Sequence, residues 1–144
     1  MLFNTAFLIV RQEGAESVNC GSTLPLNDKL FHDIHISLVD SANTTLANEC
    51  SSVVAEMSPH HRPDTWTKAN LQKVATAKAL VRVTRQLFFD SSHVACAGGI
   101  VAVAGNPKRM SVWGIHPIYK FEICTADCDG AGTWLPLDDW AKQH

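Results

Sequence analysis

One helical pattern, set among segments that alternate as strands do, constrains the fold of this chain more than any other feature. In residues 67–79, Leu71 and Val74 follow helical spacing, and neither Gly nor Pro interrupts the run. Asp64 or Thr65 can cap this helix at its start. The apolar runs on either side alternate with polar residues, which is typical of strands with one buried face. The chain is therefore predicted to be mainly β, with a single central helix.

Five strand patterns surround the helix, three before it and two after it. They cover residues 5–12, 31–40, 52–57, 80–89 and 111–124. Arg85 falls on the apolar face of the fourth run, which requires a bulge or a snorkelling side chain there. Pro117 breaks the fifth run, because proline cannot donate to a sheet ladder.

The element order β-β-β-α-β-β predicts a five-stranded Greek-key barrel of the OB type, with the helix between strands three and four. An α+β sandwich has the same element order and is the alternative. A length of 144 residues suits one domain. We expect the barrel to cover about residues 5–124 and residues 125–144 to pack on it as a tail, so that residues 1–144 form a single domain.

Composition and charge limit the classes of function. The chain has 12 Lys and Arg against 14 Asp and Glu, a net charge of −2, which argues against nucleic-acid binding through bulk positive charge. No apolar run approaches the roughly 18 residues of a membrane span, so no membrane partner is expected. Residues 1–10 are predicted to form a strand rather than a signal peptide. We expect a soluble protein, either cytoplasmic or exported after removal of a leader.

Cysteine usage leaves the redox compartment open. The five cysteines, an odd number, are Cys20, Cys50, Cys96, Cys124 and Cys128. Cysteines near strand ends form disulfides in an exported protein and stay as thiols in the cytoplasm. A zinc knuckle is disfavoured because no paired C-x2-C motifs are present.

Polar residues that commonly bind ligands gather where the strands are expected to end. Between Pro59 and Pro63, a stiff segment presents His61 and Arg62, whose imidazole and guanidinium suit a phosphate or carboxylate. The same segment can also be a structural connector. We expect a binding module for a small molecule or a protein, without a cofactor, whose ligand lies at a rim formed by His35, His61, Arg62, Asp90, His93 and His116.

A metal-dependent hydrolase acting on phosphodiesters is the alternative function. The same histidines can share a divalent metal with Asp33, Glu56 or Asp90, since such sites take three or four ligands of these types. The simpler interpretation makes Asp33 and His35 part of the exposed polar face of a half-buried second strand. Nucleophilic catalysis by residues 90–93 is disfavoured, because no Gly-x-Ser-x-Gly elbow is present. The sequence therefore leaves open whether the chain is an enzyme.

Single-stranded nucleic-acid binding is a second alternative, which requires exposed aromatic residues among basic ones. Basic residues do lie near strands four and five, but the aromatic residues of this region are expected in the core. They are Phe88, Phe89, Trp113 and Phe121. A homodimer is a further partner that the sequence leaves open.

Four segments resemble a group of small uncharacterised bacterial proteins with an OB-like fold, similar to orphans carried on mobile gene cassettes. The segments are Asp33-Ile34-His35-Ile36, Pro59-His60-His61-Arg62-Pro63, residues 83–90 and Trp113-Gly114-Ile115-His116-Pro117-Ile118. The resemblance implies a shared fold and the same His and Asp positions, but no reaction. The group has Gly where this chain has Arg85, and Glu where it has Gly114. The first change is expected to crowd the barrel bend, and the second to weaken any acid–base role of the fifth strand.

Overall fold

The structure is a computed structural model that describes residues 2–10, 33–40, 46–59, 61–96, 108–129 and 131–144. Its strands are β1 (Leu2–Val10), β2 (Ile34–Val39), β3 (Val53–Met57), β4 (Val81–Thr84), β5 (Leu87–Phe89), β6 (Trp113–Ile115), β7 (Lys120–Ala126) and β8 (Thr133–Pro136). Its helices are α1 (Lys68–Thr76), α2 (Leu137–Gln143) and a 3₁₀-helix at Leu46–Ser51.

The strands pair in the linear order β5-β6-β3-β2-β1-β4-β7-β8. Strand β1 belongs to two sheets, because residues 7–10 pair with β2 while residues 2, 3 and 6 pair with β4. All described neighbours are antiparallel except β3 and β6, which run parallel. Over the residues that the structure describes, the fold is therefore mainly β, with two sheets and two α-helices. Within the described ranges, no ladder joins the outer strands β5 and β8 into a closed barrel.

The fourth and fifth predicted strands are each divided in two. Arg85 and Gln86 separate β4 from β5, and the Arg85 side chain is buried rather than snorkelling. Its guanidinium donates a hydrogen bond to the His116 carbonyl oxygen (2.5 Å) and lies 4.4 Å from the centre of the Tyr119 ring. A cis peptide bond at His116–Pro117 lies between β6 and β7, where the sequence predicts a break.

Helix α1 lies between β3 and β4, as the sequence predicts. Its N-cap is Thr67, whose hydroxyl accepts a hydrogen bond from the Asn70 N–H (3.2 Å), rather than Asp64 or Thr65. Leu71 and Val74 of this helix are fully buried. They join a core drawn from both sheets and both α-helices, which contains Ile34, Ile36, Leu38, Ala55, Met57, Val81, Val83, Ile115, Ile118, Phe121, Ile123, Leu137 and Trp140.

Two burial predictions are wrong. Every residue of β2 is buried, and so is Asp33, because β2 is a central strand between β1 and β3; its Asp33 and His35 therefore do not form an exposed polar face. Phe88, Phe89 and Trp113 are exposed, because β5 is the outer strand of its sheet and β6 is its neighbour. Phe121 does lie in the core.

Two disulfides close the described cysteines into pairs. Cys50 bonds to Cys96, and Cys124 bonds to Cys128. Cys20 lies outside the described residues. Of the helices in the described part of the chain, none is long and apolar enough to cross a membrane.

Candidate functional site

Strand register brings acidic and histidine side chains from three strands together. His35 on β2 is directly opposite Glu56 on β3. Because β6 runs parallel to β3 with Ile115 opposite Ala55, His116 follows β6 beside Glu56. Asp33 immediately precedes β2 and so lies at the same end of the sheet. The pairing of distant segments therefore builds this site, which no single motif contains.

Asp33, Glu56 and His116 form what we call the acid–histidine cluster. Each offers one ligand atom such that all three atoms lie within 4.8 Å of one another. Nε2 of His116 is 3.4 Å from Oδ2 of Asp33, and Nδ1 is 3.6 Å from Oε2 of Glu56. His35 adjoins the cluster, with its Nε2 atom 3.5 Å from Oε1 of Glu56. The imidazole of His116 thus lies between two carboxylates.

Side-chain exposure within the cluster increases from Asp33 to Glu56 to His116. The side chains of Asp33 and His35 are each 4% exposed, and that of Glu56 is 16% exposed. His116 reaches 25% exposure, so the cluster opens to solvent on the side of this imidazole. Two partly buried carboxylates this close repel each other unless a proton or a cation lies between them.

Neighbouring groups fix the His116 ring. The Ser58 hydroxyl is hydrogen-bonded to Nε2 of His116 at 2.7 Å. The Phe88 ring meets the imidazole edge to face, with centroids 5.6 Å apart. The Arg62 guanidinium donates to the Met57 carbonyl oxygen (3.1 Å), which places a positive charge beside the end of β3. The cluster therefore has an oriented imidazole and an aromatic neighbour, and a guanidinium is bonded to the residue that follows Glu56.

A second polar group surrounds Asp90. Its carboxylate accepts hydrogen bonds from the Ser92 hydroxyl (2.6 Å) and from the buried Arg109 (2.6 Å), and it lies 2.6 Å from Nδ1 of His93. The Asp90 N–H donates to the Val112 carbonyl oxygen. These bonds tie the end of β5 to the segment before β6. The Asp90 carboxylate is already bonded to groups of the protein itself, which indicates a structural role.

The Asp90 group makes the free energy of unfolding depend on pH in the acidic range. Burial raises the pKa of Asp90. Hydrogen bonds from Ser92 and the positive charges of His93 and Arg109 lower this pKa by a larger amount, so it falls from 3.8 to about 2. Because the folded pKa is depressed, this stabilisation is present above pH 4 and is lost as the pH falls towards 2. We expect a loss of about 2 kcal/mol over that range.

Urea denaturation at pH 5, 4, 3 and 2 measures this effect. Wild-type protein should lose more unfolding free energy over this range than Asp90→Asn, which has no carboxylate at this position to protonate. Equal pH dependence of the two proteins would contradict the assignment.

The structure separates the six predicted rim residues. It brings His35 and His116 together through Glu56, and it bonds Arg62 to the carbonyl oxygen of Met57, the residue after Glu56. Of the remaining three, His61 is exposed and packs edge to face on Tyr119, while Asp90 and His93 form the second group. His116 follows Ile115 at one end of the β5–β6 ribbon and Asp90 follows Phe89 at the other, roughly 13 Å away by strand geometry.

The rim predicted from sequence omits three residues of the site. Asp33 and Glu56 are predicted as possible metal partners but not as rim residues, and Ser58, just before the stiff Pro59–Pro63 segment, is not among the predicted site residues. Alternation along β3 can show which face Glu56 occupies, but not that His35 is its partner. The β3–β6 pairing that brings His116 to Glu56 joins segments about 60 residues apart, and no local pattern reports it.

Comparisons of the chain with protein-family models, with curated proteins and with solved structures found no match.

Proposed function

We propose that this chain is a small OB-like binding module whose ligand is anchored by a divalent metal ion at Asp33, Glu56 and His116. The observation that carries the proposal is the acid–histidine cluster, in which three ligand atoms lie within 4.8 Å of one another. This narrows the predicted His, Arg and Asp rim to one end of β2, β3 and β6. The ion serves as the attachment point for an anionic ligand.

The spacing within the cluster supports a metal ion. Ligands about 2.0–2.2 Å from a tetrahedral ion lie about 3.3–3.6 Å from each other. Nδ1 of His116 is 3.6 Å from Oε2 of Glu56, which fits this spacing, and one ligand atom of each of the three residues lies within 4.8 Å of the others. A bound ion would take Nδ1 of His116 and neutralise the two carboxylates. Oxygen and imidazole ligands without thiolate suit Mn²⁺, Fe²⁺ or Zn²⁺.

Outer contacts of the cluster also fit a metal centre. A histidine that binds metal usually hydrogen-bonds through its other ring nitrogen, which fixes its orientation. Ser58 makes such a bond to Nε2 of His116, so Nδ1 is the nitrogen that we assign to the ion. His35 beside Glu56 orients that carboxylate in the same way.

The OB-like part of the proposal rests on chain continuity. If β4 and β5 are counted as one bent strand, and β6 and β7 as another, each of the five strands that result has two neighbours among the other four, with β8 added outside them on β7. β1 pairs with β2, β2 with β3, β3 with β6, β7 with β4, and β4 with β1. The ring of neighbours then closes through the bends at residues 85–86 and 116–119. The metal centre lies next to the second bend, where a barrel strand turns from one sheet to the other.

A calorimetric metal titration tests the proposal. Tag-free protein stripped with EDTA and titrated with MnCl₂ or ZnCl₂ should bind one ion per chain. Binding should raise the melting temperature, because the ion binds the folded state. Absence of binding heat together with an unchanged melting temperature would contradict the metal centre.

Phosphodiester hydrolysis is a second candidate function for the same centre. Three protein ligands leave coordination positions open for water and substrate, as in catalytic zinc sites. The partly exposed His116 places those positions towards solvent. Bis(4-nitrophenyl) phosphate should be hydrolysed by the Mn²⁺-loaded protein and not by Glu56→Gln. A wild-type rate equal to that of Mn²⁺ alone would leave ligand binding as the function.

A further inference from the structure

We propose that the ligand of this centre is a nucleotide, whose phosphate binds the metal ion while its base stacks on Phe88. The inference rests on the proposed metal function and adds the class of ligand. Three observations support it: the exposure of Phe88, its contact with His116, and the charge balance around the cluster.

Phe88 is an exposed aromatic residue at the edge of the cluster. Its side chain lies on a three-residue strand in which every residue is exposed, and it is itself 49% exposed. Burying such a ring against a ligand is favourable, because exposed apolar surface is costly in water. A ring left open beside a polar site therefore suits a ligand with its own flat apolar face.

The two faces of β5 separate Phe88 from the other exposed aromatic residues. Side chains alternate along a strand, so Phe88 and Phe89 point to opposite faces. Phe89 pairs with Trp113 opposite it, with ring centroids 5.2 Å apart. Phe88 is opposite Gly114 and instead contacts the imidazole of His116 at 5.6 Å. Of this pair of phenylalanines, Phe88 is therefore the one that adjoins the metal centre.

Charge balance at the centre favours a phosphate. A divalent ion would cancel the charges of Asp33 and Glu56, and the Arg62 guanidinium donates to the carbonyl oxygen of Met57, the residue after Glu56. Guanidinium groups and hard metal ions both bind phosphate oxygens strongly. A ligand with its phosphate at the ion would reach Phe88 with a flat ring, since the ring centroids of Phe88 and His116 are 5.6 Å apart. A nucleotide has this arrangement of groups.

Binding of three probes to Mn²⁺-loaded protein tests the inference: inorganic phosphate, ribose 5-phosphate and AMP. AMP should bind about 5- to 150-fold more tightly than ribose 5-phosphate, because that is the contribution of stacking one base on an aromatic side chain. Phe88→Leu should abolish this gain, and Phe88→Trp should retain it. Equal affinities of wild-type protein for AMP and ribose 5-phosphate would overturn the inference.

Phe89→Leu is the matched control, since Phe89 is 52% exposed on the same strand but points to the other face. It should keep the full preference for AMP, and equal losses in both leucine variants would overturn the role of Phe88. Titration with Mn²⁺ alone separates the two proposals. If Mn²⁺ binds without a preference for AMP, the nucleotide inference fails alone; if Mn²⁺ does not bind, the metal centre fails.

A dinucleotide with a 5′-phosphate distinguishes the source of the nucleotide. A further gain of tenfold or more over AMP indicates the end of a single strand as the natural ligand. Equal affinity indicates a free mononucleotide. Both results support the stacking of a base on Phe88.

Discussion

Replacing His116 by Gln is expected to lower the affinity for Mn²⁺ or Zn²⁺ by at least about 100-fold. Loss of a residue that only supports a metal ligand commonly costs 10- to 100-fold, and His116 is assigned as a ligand itself. Glutamine keeps a polar group near Ser58 but offers no imidazole nitrogen. Calorimetric titration of EDTA-treated wild-type and variant proteins measures the difference.

His61→Gln is the matched control for this prediction. His61 is exposed, and its ring packs edge to face on Tyr119. Its removal should leave metal affinity within about twofold of wild type, because surface changes away from a site are usually small. Metal affinity of His116→Gln equal to that of wild type, in a folded variant, would show that any bound ion lies elsewhere.

Removing the Cys50–Cys96 disulfide is expected to lower the free energy of unfolding by about 4 kcal/mol. The two cysteines are 46 residues apart, and the bond restricts the unfolded chain by closing that loop. The bond also joins the 3₁₀-helix to the segment after β5. Urea denaturation of the double variant Cys50→Ala, Cys96→Ala measures the loss, with the midpoint and slope compared to those of wild type.

The second disulfide supplies the comparison. Cys124 and Cys128 are 4 residues apart, so the same chain-entropy argument gives about 2 kcal/mol for Cys124→Ala, Cys128→Ala. The first double variant should therefore be the less stable of the two. The reverse order, or no loss in either variant, would contradict loop closure as the source of this stabilisation.

Local patterns in the sequence predict where α1, β2 and β3 lie along the chain. They do not predict which of their side chains are buried as reliably. Spacing within residues 67–79 predicts α1, and the alternating runs predict β2 and β3, because these signals depend on neighbouring residues. Burial of His35 depends instead on the position of β2 between two other strands. Exposure of Phe88 follows in the same way from the edge position of β5. Strand order is a property of the whole chain and has no local signal.

The sequence predicts the site only in part, for the same reason. Histidines at strand ends commonly bind ligands, which predicts His35 and His116, and the structure does bring these two together. The same reasoning predicts Asp90 and His93, yet Arg109 and Ser92 engage the Asp90 carboxylate in a separate group. Residue type suggests what a side chain can do. Register between distant strands decides which side chains meet.

Anomalous diffraction from crystals soaked in MnCl₂ or ZnCl₂ is the most direct test of the proposed metal centre. We expect one strong peak per chain about 2.0–2.2 Å from a carboxylate oxygen of Asp33, a carboxylate oxygen of Glu56 and one ring nitrogen of His116. A map without a peak at this position, or with the ion at Asp90 and His93 instead, would contradict the proposed metal centre.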